Sequence, residues 1–376
     1  MKNATINRRQ FIASILAAGI TPKLLASQVS AYSNEYLVSA QGIDANHYSI
    51  TSVNQSANSI QTALTQFRGH GLAQNPAKPD SIILFARRPG RQGIELSLST
   101  GEIKHTFDHA NNRNLQGHGC FSADGKLLFT AETDSITGEG KIAIRDTQDY
   151  KQLSEIDSYG IGPHEIKLMP DGKTLVVANG GIHTRPESGR KKLNLQSMQS
   201  SLVYIDLASA KKLDTFQVAE PKASIRHLDV ANDGTVALAM QVQREATNHY
   251  DIVPLAAIHK PNKTILLLEK PSIVIEKLHD YLGSVAINNA SRIAGFTSPK
   301  GNLVAFWNID NGEFSGYHQF NDVCGLCISQ DQQHFIISNS LGKLRQLDAF
   351  TLKENKATRL HFKHMRWDNH MINVST

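Results

Sequence analysis

The sequence predicts an all-β fold, a seven-bladed β-propeller with four antiparallel strands per blade. Three observations predict it: a recurring hairpin, the spacing of its copies, and two chain ends that complete each other. The hairpin is clearest in QGHGCFSADGKLLFTAETD (116–134), IGPHEIKLMPDGKTLVVANGG (161–181) and IRHLDVANDGTVALAMQV (225–242). Each has an alternating segment, a polar turn written Asp-Gly, Asp-Gly and Asp-Gly, and a second apolar run, which is how a tight β-hairpin reads. Weaker copies are RGHGLAQNPAKPDSIILFARRPG (68–90), LGSVAINNASRIAGFTSP (282–299) and VCGLCISQDQQHFIISNS (323–340). Further strand-like runs such as KIAIRDTQD (141–149) and YKQLSEIDS (150–158) lie between copies and bring each unit to four strands, the pattern of propeller blades.

The ends supply the remaining blade. YLVSAQGI (36–43), HYSITSVN (47–54) and SIQTALTQF (59–67) make three strands without a first, and RWDNHMINV (366–374) makes a first strand without a hairpin. An innermost C-terminal strand joining the N-terminal three closes the ring. Six or eight blades would follow from miscounting one weak copy. A β-helix fits less well, because the unit is long and built of hairpins. No long helix and no domain boundary is legible, so residues 32–376 form one domain.

Residues 1–31 read as an export signal. Asn7-Arg8-Arg9-Gln10-Phe11-Ile12 has the paired arginines of a twin-arginine signal, and the apolar run from Phe11 to Ile20 is shorter than the roughly 20 residues a membrane span needs. Val29-Ser30-Ala31 supplies a cleavage site, which implies a periplasmic protein with no transmembrane segment in the mature chain. The chain has 39 basic and 34 acidic residues; the signal holds four of the former (Lys2, Arg8, Arg9, Lys23) and none of the latter. A nearly neutral mature chain lacks the basic footprint of a nucleic-acid binder. Three cysteines (120, 324, 327) are too few for a disulfide scaffold. Cys324-Gly325-Leu326-Cys327 lies in a strand and is not followed by histidine, so covalent haem attachment is excluded there, and Cys120 and Cys327 read as buried free thiols.

Aligned on the turn, the first strands place His70, His118, His227 and His370 at one equivalent position, with Glu165 there in its own blade and His164 one residue before it. Ser284 and Gly325 fill the other two blades. The ends of the second strands contribute Arg87, Glu132, Asn179 and Gln241, along with Gln41, Ser298 and Asn339. These residues are expected to ring the channel mouth. Neutral imidazole is the commonest metal ligand, and His118, His227, His370 and Glu132 are the candidate metal ligands. The same pattern also fits repeat residues that tie neighbouring blades together. The loop 180–201, with His183, Arg185, Arg190, Lys191 and Lys192, is expected to bring positive charge over the same face.

The runs GHGCFSADGKLLFTAETDSITGEGKIAIRD and GIGPHEIKLMPDGKTLVVANGGI, with the terminal RWDNH, resemble a family of bacterial periplasmic proteins that carry a domain of unknown function. The resemblance covers nearly the whole mature chain; more distantly, the hairpins resemble YVTN and lactonase-type propellers. The family resemblance implies twin-arginine export, a propeller fold, and genes beside imelysin-type iron-regulated proteins and di-haem peroxidase-like oxidoreductases. It therefore implies a role near iron acquisition or periplasmic redox handling, with a periplasmic iron-uptake or redox protein as partner, and supplies no catalytic residues. The expectation is a binding or scaffold propeller that takes a metal, a metal complex or a partner protein at the channel mouth. The alternative is a metal-dependent lactonase-like hydrolase.

Overall fold

The computed structural model describes residues 35–42, 47–54, 59–185, 187 and 191–376; residues 1–31, expected to be an export signal, and Arg190 lie outside the described residues. Seven four-stranded antiparallel sheets follow one another around a channel. The first blade contains β1 (Glu35–Gly42), β2 (Tyr48–Asn54) and β3 (Ser59–Thr65). The second contains β4 (Gly69–Asn75), β5 (Lys78–Ala86), β6 (Gln92–Ser97) and β7 (Ile103–Asp108). The third runs through β8 (Arg113–Phe121), β9 (Leu127–Asp134), β10 (Glu139–Asp146) and β11 (Gln152–Ile161). In the fourth are β12 (Pro163–Leu168), β13 (Thr174–Asn179), β14 (Ser201–Asp206) and β15 (Lys212–Phe216). The fifth has β16 (Ala223–Val230), β17 (Val236–Val242), β18 (Ala256–His259) and the two-residue β19 (Leu266–Leu267). A short helix, α1 (Ser272–Lys277), leads to the sixth, with β20 (Ser284–Asn288), β21 (Ile293–Ser298), β22 (Leu303–Asn308) and β23 (Phe314–Gln319). The seventh comprises β24 (Val323–Ile328), β25 (His334–Asn339), β26 (Lys343–Asp348) and β27 (Leu360–His361). The last strand, β28 (Trp367–Ser375), returns to the first blade and pairs with β1 from Glu35↔Ser375 to Gln41↔Trp367.

Burial explains the composition of each strand. Second strands carry continuous buried apolar runs, Ile82 to Ala86 in β5 and Leu175 to Ala178 in β13, because neighbouring blades cover both faces, as in any sheet buried on both sides. Outer strands such as β3 and β23 alternate exposed and half-buried residues, since one face meets water. The polar turns set the hairpins: Asp171 accepts from the amides of Lys173 and Thr174, and Gly172 takes a φ of 67° that side chains disfavour.

Apolar clusters lie between blades. Phe129, Ala131 and Ile142 of the third meet Ile166, Leu175 and Val177 of the fourth. At the seam, Trp367, Met371 and Leu37 pack on Cys324, Cys327 and Ile336 of the seventh blade. Closure therefore buries an apolar layer and covers the β1 edge, which would otherwise present unpaired backbone groups. Deleting residues 367–376 is expected to abolish cooperative thermal unfolding by circular dichroism; an unchanged melt would show that this strand does not hold the ring.

A candidate metal centre in the channel

Strands β4, β8, β12, β16 and β28 each deliver one histidine to the channel axis. In the first four, pairing with the second strand shifts register at or beside the histidine: between Gly69 and Leu72, Leu115 and Gly119, Pro163 and Glu165, and Ile225 and His227. In β28 the shift falls between Trp367 and Met371. A β-bulge turns the local side chain out of strict alternation, and here it turns imidazoles inward. Glycines make the room. A Cβ on Gly71 would lie 2.7 Å from His118 Nδ1, and one on Gly117 would lie 2.7 Å from His70 Cδ2. Gly117 also holds a φ of 99°, which other residues rarely adopt.

The five rings form one cluster. Centroids are 4.5 Å apart for His70–His370, 4.6 Å for His227–His370, 4.7 Å for both His118–His370 and His164–His227, and 6.3 Å for His70–His227. All five are buried, at 2 to 9 % exposure. Among the described residues, His70 Nδ1, His118 Nε2, His164 Nδ1 and His370 Nε2 find no hydrogen-bond partner. Two overlapping triads, His70–His118–His370 and His118–His164–His227, bring one nitrogen from each ring within 4.8 Å of the others.

Glu165 lies behind this cluster. Its Oε2 is 3.1 Å from His227 Nδ1 and accepts from the Leu228 amide at 3.2 Å, while Oε1 lies 3.9 Å from His118 Nδ1. A proton on His227 Nδ1 answers the carboxylate and leaves Nε2 as the lone-pair nitrogen.

Burial drives the pKa of every histidine in the cluster below its ordinary value, and the arginines and any neighbouring imidazole that gains a proton push the same way. For His70 these are His370, His118 and Arg87; for His118, His370, His227 and Arg226. His164 is lowered by burial and by Arg226, and Glu165 opposes the fall at His118 and His370. His227 and His370 fall to about 3, with Arg226, Arg88 and Lys167 acting on the former and His227, Arg87 and Lys167 on the latter. The imidazoles are therefore neutral near pH 7, the form that binds metals.

Other sequence-identified residues lie elsewhere. Glu132 is fully buried, and its Oε1 accepts from Arg145 Nη2 and Thr130 Oγ1, both at 2.8 Å. That is an ion pair inside the third blade, and Glu132 does not join the histidines. Asn179 exchanges hydrogen bonds with Ser158, Gln41 accepts from the Arg366 amide, and Ser298 donates to the Leu278 carbonyl. These residues tie blades and loops together. Gln241 donates to the Leu282 carbonyl and, with Arg88, Lys192, Arg244 and Lys300, lines a surface cavity of about 500 Å3. Arg87 acts electrostatically on His70 and His370. Cys327 is a buried free thiol, as expected, and so is Cys324; Cys120, expected to be buried as well, is free but only half-buried, and burial pushes its thiol up to about 12.

The position of the mouth also differs from expectation. A second cavity, of about 520 Å3, begins at His118 and His370 and follows the inner strands toward their hairpin turns, ending among Asn289, Gln330 and Gln332. His118 and His370 thus form the floor of a cavity that runs toward the turn end, away from the face expected from the alignment. Its wall includes Glu165, Lys167 and Asp229, the last two in an ion pair at 2.5 Å. Burial lowers Lys167, and Asp229 then Glu165 outweigh it, so its pKa ends raised. A sequence signal was available: Lys167 lies two residues after Glu165 and Asp229 two after His227, the spacing that puts side chains on one strand face.

A closed seven-bladed ring with buried imidazoles on its axis makes this a β-propeller with a histidine-lined channel. A family model described as protein of unknown function (DUF1513) matches residues 63–374, and the chain belongs to that family. Among solved structures, hydrazine synthase of Kuenenia stuttgartiensis is similar, with a TM-score of 0.60 over 86 % of this chain and 94 % of that one. At 14 % identity the two share a fold alone. No curated protein matches the chain. No helix among the described residues is long and apolar enough to cross a membrane.

The metal-free protein has a defined response to acid. An imidazole titrating near 6.5 when unfolded and far lower when folded contributes stability that is present above pH 6.5 and lost as pH falls toward the folded value. At about pH 5.5 each such histidine costs about 1.4 kcal/mol relative to neutral pH. Urea unfolding should show a loss of several kcal/mol between about pH 7.5 and 5.5, reduced in His164→Phe. A flat profile would mean that the rings are not buried and neutral.

Proposed function

We propose that this protein is a binding propeller whose channel histidines hold a transition-metal ion. The observation that carries this reading is a buried cluster in which four imidazole nitrogens lack partners and five rings form two overlapping triads that share His118. An orphaned buried acceptor or donor costs about 1–3 kcal/mol, and four around one axis are a standing penalty that a metal ion would remove. Imidazole donors suit zinc, copper, iron and nickel. With metal–nitrogen bonds of about 2.0–2.1 Å, bound nitrogens lie roughly 3.4 Å apart, so nitrogens that now lie within 4.8 Å would close by up to about 1.4 Å through side-chain rotation. Glu165 supplies the carboxylate that orients a ligating histidine from behind.

The biological setting is part of the same proposal. Arg8-Arg9 and the apolar run after them support export to the periplasm by the twin-arginine route, which moves folded proteins and so permits loading before export. The resemblance stated above supports work beside an iron-uptake or redox protein. A lactonase-like hydrolase would draw on Glu132 and Asn179, and these are bound to Arg145 and Ser158.

Elemental analysis of untagged protein, purified from periplasm without chelator, tests the proposal. Near-stoichiometric metal is expected, lost in the His118→Ala, His227→Ala double variant. Glu165→Gln should weaken metal binding about 10- to 100-fold, the usual cost of a lost orienting carboxylate. Protein that arrives empty and takes up no zinc, copper, iron or nickel in titration would contradict it.

A further inference from the structure

The cavity above the histidines has a charge pattern that selects a ligand. Among the described residues lining it, Glu165, Lys167 and Asp229 carry formal charge, and Lys167 is the single cation. Asp229 is satisfied twice: Oδ1 lies 2.5 Å from Lys167 Nζ, and Oδ2 accepts from the Ile287 amide at 2.7 Å. Glu165 is engaged by His227 and by the Leu228 amide. An ammonium has three donors and Asp229 takes one; about a third of the Lys167 side chain stays exposed toward the cavity.

A divalent ion on neutral imidazoles adds two positive charges at the cavity floor. Arg87, Arg88 and Arg226 already act on the same rings. Among the described lining residues Asp229 is paired with Lys167 and Glu165 adds one further negative charge, so a metal-loaded floor would be net positive in a partly enclosed cavity, where charge interactions exceed those in bulk water. An ion held by His118 and His370 would be reachable from the cavity, because both residues line it.

Resting on the metal reading above, we propose that this cavity binds a small anion of the carboxylate or phosphate class, which enters from the hairpin-turn face, ligates the metal and is anchored a second time by Lys167. A volume of about 520 Å3 admits a small organic acid as readily as an inorganic oxyanion. The other wall residues are neutral, among them Gln74, Cys120, Gln330 and Gln332.

Cobalt-loaded protein, titrated with acetate and with inorganic phosphate and followed by its visible absorption, tests this. A saturable spectral change is expected. Lys167→Ala should weaken it at least tenfold with cobalt loading unchanged. Asp229→Asn frees the ammonium while keeping an acceptor for the Ile287 amide, and should tighten it. Preference for acetate identifies the carboxylate class, and preference for phosphate identifies the other. Cobalt that loads but responds to neither anion, or responses that both variants leave unaltered, would overturn the anion site alone. Cobalt that does not load would overturn the metal reading and the anion site with it.

Discussion

Five imidazoles are buried together in a channel where the protein offers them fewer hydrogen-bond partners than they have nitrogens, and the rest of the site follows from that shortage. A buried polar group normally finds a partner within the fold. Here Glu165 serves His227 and stands near His118, while one nitrogen on each of His70, His118, His164 and His370 has no partner among the described residues. Protonation does not relieve the crowding, because burial and the arginines around the cluster oppose every added charge. The fold pays this in stability, and a cation that accepts several lone pairs at once is the species that would return it.

The propeller is what makes such a convergence possible. No single blade could place five side chains from distant parts of the chain around one point, whereas seven inner strands meet on an axis by construction. Bulges at the histidines and glycines at 71 and 117 then adapt a regular ring to an irregular occupant. The sixth and seventh blades contribute Ser284 and Gly325 at the equivalent positions, so the cluster is lopsided, while the cavity beyond it is lined by inner strands of all seven blades. Apolar seams between blades, completed by Trp367 and Met371, carry the stability that the polar axis does not.

Much of this was legible in the amino-acid order. The Asp-Gly hairpins and the complementary ends specify blades, count and closure, because each is local and tied to turn chemistry. The shared position of His70, His118, His227 and His370 was equally visible, since aligned strands in a ring must point alike. Glu132 and Asn179 were misplaced for the converse reason: equivalent positions on second strands are close to the channel in sequence register, but their partners Arg145 and Ser158 come from outer strands that no alignment of first hairpins includes. The bulges were also hidden, and with them the inward turn of His164 beside Glu165. The open end of the channel depends on which loops fill the other, a property of packing rather than of pattern.

The central claim is that the histidine cluster is a metal centre, and X-ray absorption at the edge of the bound metal tests it most directly. The account predicts a first shell of at least three nitrogen donors near 2.0–2.1 Å with the outer-shell scattering of imidazole rings. A shell of oxygen or sulfur donors without imidazole scattering, or an ion that dissociates unchanged when His118 is replaced by alanine, would contradict it.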